Sequence, residues 1–221
     1  MCGRFAFYSP SEATTALFGV HADIEIQARY NIAPTQFVAA IRNDESESRE
    51  LVMLRWGLVP FWEKDPAIGN RMINARAETV AEKPSYRNAY KKRRCLILAS
   101  GFYEWRKEGS SKTPYYITTE DDSPFAFAGL WERWDDKESD ESLQTTTIIT
   151  VDANAFMQGL HHRMPIILQA ESADRWLAGD NELINNVEEI TPPLKAWAVD
   201  RRINNARNEG AELIEPDSSV A

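Results

Sequence analysis

The chain has 221 residues, 43% of them apolar and 10% aromatic, enough for one domain with a substantial core. Its net charge of −9 argues against a protein that coats duplex DNA by bulk electrostatics, while leaving room for a local basic groove. No apolar run approaches the roughly 20 residues that span a bilayer, and the start Met1-Cys2-Gly3-Arg4-Phe5-Ala6-Phe7 lacks the layout of a signal peptide, so a cytoplasmic protein without membrane contact is expected.

In chain order, Ser9-Pro10-Ser11 predicts a capped helix over residues 12–18, stopped at Gly19. Residues 29–35 are turn-rich and predict a loop. Residues 37–41 and 51–58 predict two strands around the polar tip 43–49. Pro60 and Asp65-Pro66 break the next stretch. An extended segment is predicted over 72–76, then helical patterning over 77–82 and 86–93. Residues 95–99 read as a buried strand, and 102–107, 115–118, 125–131 and 145–151 as further strands. A helix over 152–159, a strand over 165–168, a helix over 172–178 and a strand over 196–199 complete the pattern. Short strands mixed with short helices, without regular alternation, predict an α+β fold. The expected form is a single domain over 1–221 with a curved or barrel-like mixed sheet and peripheral short helices. Charge is segregated along it. Residues 83–94 hold six basic side chains and no acid, and 132–141 hold six acids against two bases.

The cysteines, Cys2 and Cys95, are too few and too far from any zinc-type spacing to suggest a disulfide or a metal site, and adjacent His161-His162 does not supply one. Cys95, in an apolar strand, reads as a buried small hydrophobe. Cys2 reads differently. Loss of Met1 would give it a free α-amine beside its thiol. Reference pKa values of ~8 and ~8.5 leave roughly a tenth of the amine and a few per cent of the thiol reactive at neutral pH. An amine and thiol so placed condense with an aldehyde: the imine forms first, and the thiol closes it to a thiazolidine.

Glu104, inside Gly101-Phe102-Tyr103-Glu104-Trp105, should be partly desolvated by its aromatic neighbours, which suits a proton shuttle. His161 offers acid–base chemistry. Asn74, in an apolar stretch, must hydrogen-bond something. Trp56 and Trp62 lie near the basic segment and could serve as stacking platforms for unpaired bases. Each of these residues also has a purely structural reading.

Their combination is more specific. Met1-Cys2-Gly3-Arg4-Phe5, Arg29-Tyr30-Asn31-Ile32-Ala33-Pro34, Arg55-Trp56-Gly57-Leu58-Val59-Pro60, Ile73-Asn74-Ala75-Arg76-Ala77-Glu78-Thr79, Gly101-Phe102-Tyr103-Glu104-Trp105 and His161-His162-Arg163-Met164-Pro165 resemble, in order, the motifs of the SRAP (SOS-response-associated peptidase) family. Ile203-Asn204-Asn205-Ala206-Arg207-Asn208 resembles its Asn-rich C-terminal motif, so the match runs from residue 2 to about 215.

The resemblance implies recognition of abasic sites in single-stranded DNA and a covalent DNA–protein crosslink through the mature N-terminal Cys2, shielding the site. It also implies autoproteolytic removal of Met1 and lyase-type activity. Carried over, Cys2 is the nucleophile, Asn74 positions its amine or the sugar, and Glu104 and His161 form the acid–base pair. Arg4, Arg76 and Arg163 hold phosphates, with Pro34, Trp56 and Trp62 completing the DNA surface. No cofactor or metal is implied, and a monomer is expected. His162 stands where the family more often has Asp, and register favours His161 as the catalytic one. Two other readings remain: a thiol peptidase of the N-terminal-nucleophile type using the same Cys2, Glu104 and His161, and a non-catalytic single-strand-binding module in which the aromatics and arginines do everything.

Overall fold

Runs of two to eleven residues, many rich in aromatic and β-branched side chains, become strands here, and the helices stay short. The strands are β1 (Phe5–Phe7), β2 (Arg29–Ile32), β3 (Phe37–Asn43), β4 (Arg49–Trp56), β5 (Asn74–Arg76), β6 (Arg94–Ala99), β7 (Gly101–Glu108), β8 (Ser111–Thr119), β9 (Phe125–Asp135), β10 (Ser142–Asp152), β11 (Arg163–Pro165), β12 (Ile167–Leu168) and β13 (Leu194–Ala198). The helices are α1 (Ser11–Leu17), α2 (Ala77–Val80), α3 (Pro84–Lys92), α4 (Ala155–Gln158), α5 (Ala170–Leu177) and α6 (Val187–Ile190). The computed structural model describes residues 2–21 and 24–219, without the Ser11 side chain. Among them no helix is long and apolar enough to cross a membrane.

Five strands close into a barrel. Antiparallel pairings run from β4 through β3, β6 and β9 to β10. A parallel pairing of β10 with β4, Thr145 beside Arg55 and Thr146 beside Trp56, closes the ring. Closure removes the exposed edges that an open sheet would leave. Every residue of β6 is buried, because the barrel interior covers one face and helices cover the other. On that outer side Trp176 of α5 donates its indole N–H to the Cys95 carbonyl at 3.1 Å. The shorter strands β5 and β11 pair with β10, and β12 pairs with β9.

A second, antiparallel sheet in the order β13-β8-β7-β1-β2 lies against the barrel. Phe5 of β1 bridges the two, its ring 5.2 Å from that of Trp56 and 5.6 Å from that of Phe127, both edge-on. The outer face of this sheet carries a smaller cluster of Tyr103, Tyr116, Ile203 and Leu213.

The mixed α+β architecture with a barrel core is as expected. Three local expectations change. Residues 29–32, expected as loop, form β2, because β1 offers an edge and Phe5 pairs with Ile32. The helix expected over 152–159 contracts to α4, because Asp152 completes β10 opposite Arg163. The strand expected over 165–168 splits at Ile166. There the backbone N–H donates to Ile149 and the carbonyl accepts from Ala128, handing the chain from β10 to β9.

Gly57 ends β4 at φ +127°, and a Cβ added there would lie 2.4 Å from the Gly69 carbonyl oxygen. This close approach seats the 3-10 turn Pro66–Arg71 against the barrel and aims the chain into β5. Gly57→Ala is expected to destabilise the protein by about 3 kcal/mol, a melting-temperature drop of roughly 6–12 °C, readable by calorimetry.

Candidate functional site

The two sheets meet at the start of β1. Cys2 is fully buried there, two residues ahead of Arg4, whose carbonyl accepts the Tyr103 N–H of β7 at 2.9 Å. Asn74, on β5 of the barrel, donates its amide to the Cys2 carbonyl at 2.8 Å. That bond ties the two sheets at the cysteine. Its Oδ1 is buried and without a hydrogen-bond partner, a state that favours an incoming donor. Strand alternation puts Asn74 and Arg76 on one face of β5 while Ala75 points into the core. Arg76 is exposed.

Glu104 arrives by the same alternation. Phe102 of β7 packs on Phe127 of the barrel, so Glu104, two residues on, faces the same junction while Tyr103 faces away. Glu104 is buried, and burial pushes its carboxyl above the ordinary glutamate value. Burial likewise pushes the Cys2 thiol far up, and the Glu104 charge adds to this. Burial thus works against the thiolate, since water no longer solvates the anion.

His161 follows α4 and precedes β11. Its backbone N–H donates to the Met157 carbonyl at 2.8 Å. Its Nδ1 lies 3.0 Å from the Arg163 nitrogen and 3.1 Å from the Arg163 carbonyl oxygen. A neutral ring accepts from that N–H and carries its proton on Nε2, while a protonated ring can donate to the carbonyl. Burial pulls the imidazole below its ordinary value, and the Arg163 hydrogen bond opposes this. His162 is exposed and stacks on His161 with ring centres 4.3 Å apart. His161 is thus the half-buried, backbone-held member of the pair.

The residues expected to touch DNA divide. Arg4 is half-buried, and its Nη1 donates to Asn31 Oδ1 at 2.6 Å and to the Ile203 carbonyl at 2.7 Å. Arg163 is buried and already engaged, by both carboxylate oxygens of Glu78 at 2.7 and 3.0 Å, by Asp152 at 2.6 Å and by the Thr150 carbonyl at 2.7 Å. A phosphate would have to displace a carboxylate there, so Arg163 serves first to fix the segment that carries His161. Pro34 is half-buried at the turn after β2, beside Thr35, a β-branched residue held at φ +73°.

Trp56 corrects an expectation. It is fully buried against Phe5, with its indole N–H on the Ile73 carbonyl at 2.9 Å, so no base can stack on it. Trp62 is 38% exposed and Phe61 is 51% exposed. They line a groove of about 460 Å³ with Pro84, Arg87 and Lys91 of the basic helix α3. This pairs an aromatic surface with the basic segment, as the sequence suggested for Trp62 but not for Phe61. Sequence reasoning also assigned no role to Asn31, a fully buried polar side chain. The signal available was an amide between the apolar neighbours Tyr30 and Ile32.

Fold and site define a class: a barrel protein with a buried thiol and a buried carboxyl at the junction where a second sheet meets the barrel. The chain belongs to the SOS response associated peptidase (SRAP) family, whose model matches residues 1–206. It is 40% identical to abasic site processing protein YoaM of Bacillus subtilis over the full length of both chains. It is 34% identical to abasic site processing protein HMCES of Xenopus tropicalis, over 78% of this chain and 59% of that one. A crystal structure of a protein from Bacteroides thetaiotaomicron superposes with a TM-score of 0.85 at 27% identity, covering 98% of this chain and 100% of that one.

Proposed function

We propose that this protein captures abasic sites in single-stranded DNA as a thiazolidine on Cys2, once Met1 has been removed. The observation that carries the reading is the junction itself. A fully buried Cys2 has its carbonyl held by Asn74 and lies within electrostatic reach of a buried Glu104 whose carboxyl burial pushes above the ordinary glutamate value. Relatives named abasic site processing proteins supply the substrate class.

The chemistry balances without cofactor or oxidant. Protonation of the ring oxygen by His161 assists opening of the closed sugar to its aldehyde. Glu104 takes a proton from the Cys2 ammonium, and the freed amine attacks C1′. Loss of water gives the imine. The thiol then adds across the C=N bond: sulfur bonds to C1′ and the thiol proton passes to nitrogen. Holding amine, thiol and aldehyde together makes the encounter effectively intramolecular, worth several kcal/mol. The imine is also the branch point for β-elimination of the 3′-phosphate, a lyase-type outcome. Release of Met1 belongs to the same reading: the Cys2 thiol adds to the Met1 carbonyl, the Cys2 nitrogen leaves as the free amine, and water hydrolyses the resulting thioester to methionine and the free thiol. Arg4 and Arg76 hold phosphates, and Trp62 with Phe61 stacks a neighbouring base.

Intact-mass spectrometry of the purified protein, with and without an abasic single-stranded oligonucleotide, tests this. The expected result is a chain lacking Met1 and, with DNA, a species equal to protein plus oligonucleotide less one water. A paired duplex carrying the same site should react at least ~10-fold more slowly, because it cannot present C1′ without distortion. Absence of the adduct from a chain that has lost Met1, or equal rates on both substrates, would defeat the reading.

A further inference from the structure

We infer that Asn31 is a positioning residue for Arg4, and that the C-terminal segment 203–209 which it anchors forms a working wall of the site. The inference rests on the proposed reading of Arg4 as a phosphate contact.

Asn31 sits on β2, one strand from Arg4, and all its side-chain capacity points to one arrangement. Its Oδ1 accepts Arg4 Nη1 at 2.6 Å. Its Nδ2 donates to the carbonyls of Asn205 at 3.0 Å and Asn208 at 2.8 Å. Flipping the amide would set an NH2 against a guanidinium and a carbonyl against two carbonyls, so the orientation is determined by its partners. The backbone N–H groups of Tyr30 and Asn31 both donate to the Glu209 carboxylate at 2.8 Å. Arg29 lies 3.5 Å from the same carboxylate.

Ile203 is buried, while Asn204, Asn205, Ala206 and Arg207 are exposed. The Trp105 indole N–H donates to Asn204 Oδ1 at 2.8 Å at its start, and Asn31 and Glu209 supply the bonds that tie the rest of the segment to β2. In return it supplies the Ile203 carbonyl that takes Arg4 Nη1 at 2.7 Å. Asn31 and Ile203 together use both hydrogens of Nη1 and stop the guanidinium from turning. The edge left for a ligand is the one formed by Nε and Nη2, which matches two oxygens of a phosphate. Arg4 Nε is buried with no partner, a costly state that an arriving oxygen would relieve. Arg4 stands two residues from Cys2, so a phosphate held on that edge places the strand relative to the nucleophile.

The test measures binding of an intact single-stranded oligonucleotide across a salt series, in a Cys2→Ala background, alongside the crosslinking rate with Cys2 present. Asn31→Ala is expected to weaken binding about 5-fold and to reduce the slope of log K against log salt by about 0.7, the worth of one phosphate on a single strand. Arg4→Gln should do the same, and the double variant should be no worse than Arg4→Gln alone. Glu209→Ala, an exposed position that leaves the core intact, should give a smaller loss in the same direction and covers the case in which Asn31→Ala fails to fold. A lowered melting temperature with unchanged affinity and salt slope in Asn31→Ala or Glu209→Ala would overturn the inference, as would losses that multiply in the double variant. An unchanged slope in Arg4→Gln would overturn it too, but by removing the phosphate role of Arg4. Coupling of Asn31 to Arg4 in a protein that forms no adduct would uphold the inference while the thiazolidine reading fails.

Discussion

Cys2→Ala is expected to abolish the denaturation-resistant complex with abasic single strands, a loss of at least ~10³-fold in adduct yield read on a denaturing gel, because without the thiol the reversible imine formed by the α-amine cannot close to the stable ring. The affected thiol is fully buried, so its loss also leaves a small cavity, and a modest fall in stability accompanies the chemical defect. Binding of intact single strands should persist, since Arg4, Arg76 and Trp62 are untouched. Cys2→Ser separates the two steps. Its amine still forms the imine, but a hydroxyl closes and holds the ring poorly. A complex that appears only after borohydride trapping is the expected outcome. Full heat-stable crosslinking by the alanine variant would remove Cys2 from the mechanism.

Glu104→Gln and His161→Ala should fail in different ways. If Glu104 takes the proton from the Cys2 ammonium, its loss should slow crosslinking about 10²-fold near pH 6, with the gap narrowing toward pH ~8, where free amine is abundant without help. Burial raises the Glu104 carboxyl, so the wild-type rate should fall on the acid side at a pH above the ordinary glutamate range. The same shift has a stability sign. The native state binds this proton more tightly than the unfolded chain does, so stability falls as pH rises from the unfolded value of ~4.3 through the raised native value. Glu104→Gln carries no charge to bury. It should melt higher than wild type at pH 7, with the advantage closing near pH 4.

His161→Ala should slow capture of a closed-ring abasic site about 10-fold or more and matter much less for a substrate with a permanently open aldehyde. His162→Ala, at an exposed position, should stay near wild type. Rates across pH 5.5 to 8.5, from about one unit below to about two above the reference His value, on both substrates decide this. Matching defects in Glu104→Gln and His161→Ala would show the two residues acting as one unit. A defective His162→Ala beside a normal His161→Ala would reverse the assignment within the pair.

By itself the sequence determined the order and kind of most elements. Residues 95–99 and 125–131 carry a strand pattern so apolar that a buried sheet is their only stable place, and β6 and β9 lie there. The order of motifs along the chain also sufficed for the family, and the alternation of β7 marked Glu104 as a carboxyl among aromatics. What the tertiary structure decided is which polar atoms meet and which faces stay open. Trp56 and Trp62 stand six residues apart, at the end of β4 and in the Pro-rich stretch after it. Only the arrival of Phe5 from the other sheet buries the first, while the second remains beside α3.

Three arginines look alike in their motifs. Glu78 and Asp152, contributed by different elements, occupy Arg163, and Asn31 with the C-terminal segment orients Arg4. Residues 29–32 carry turn-forming chemistry and became a strand because β1 had an edge to pair. The physical reason is the same in each case. Local patterning encodes backbone preference and burial tendency, whereas a hydrogen-bond or ion-pair partner distant in sequence is set only when separate strands are brought together.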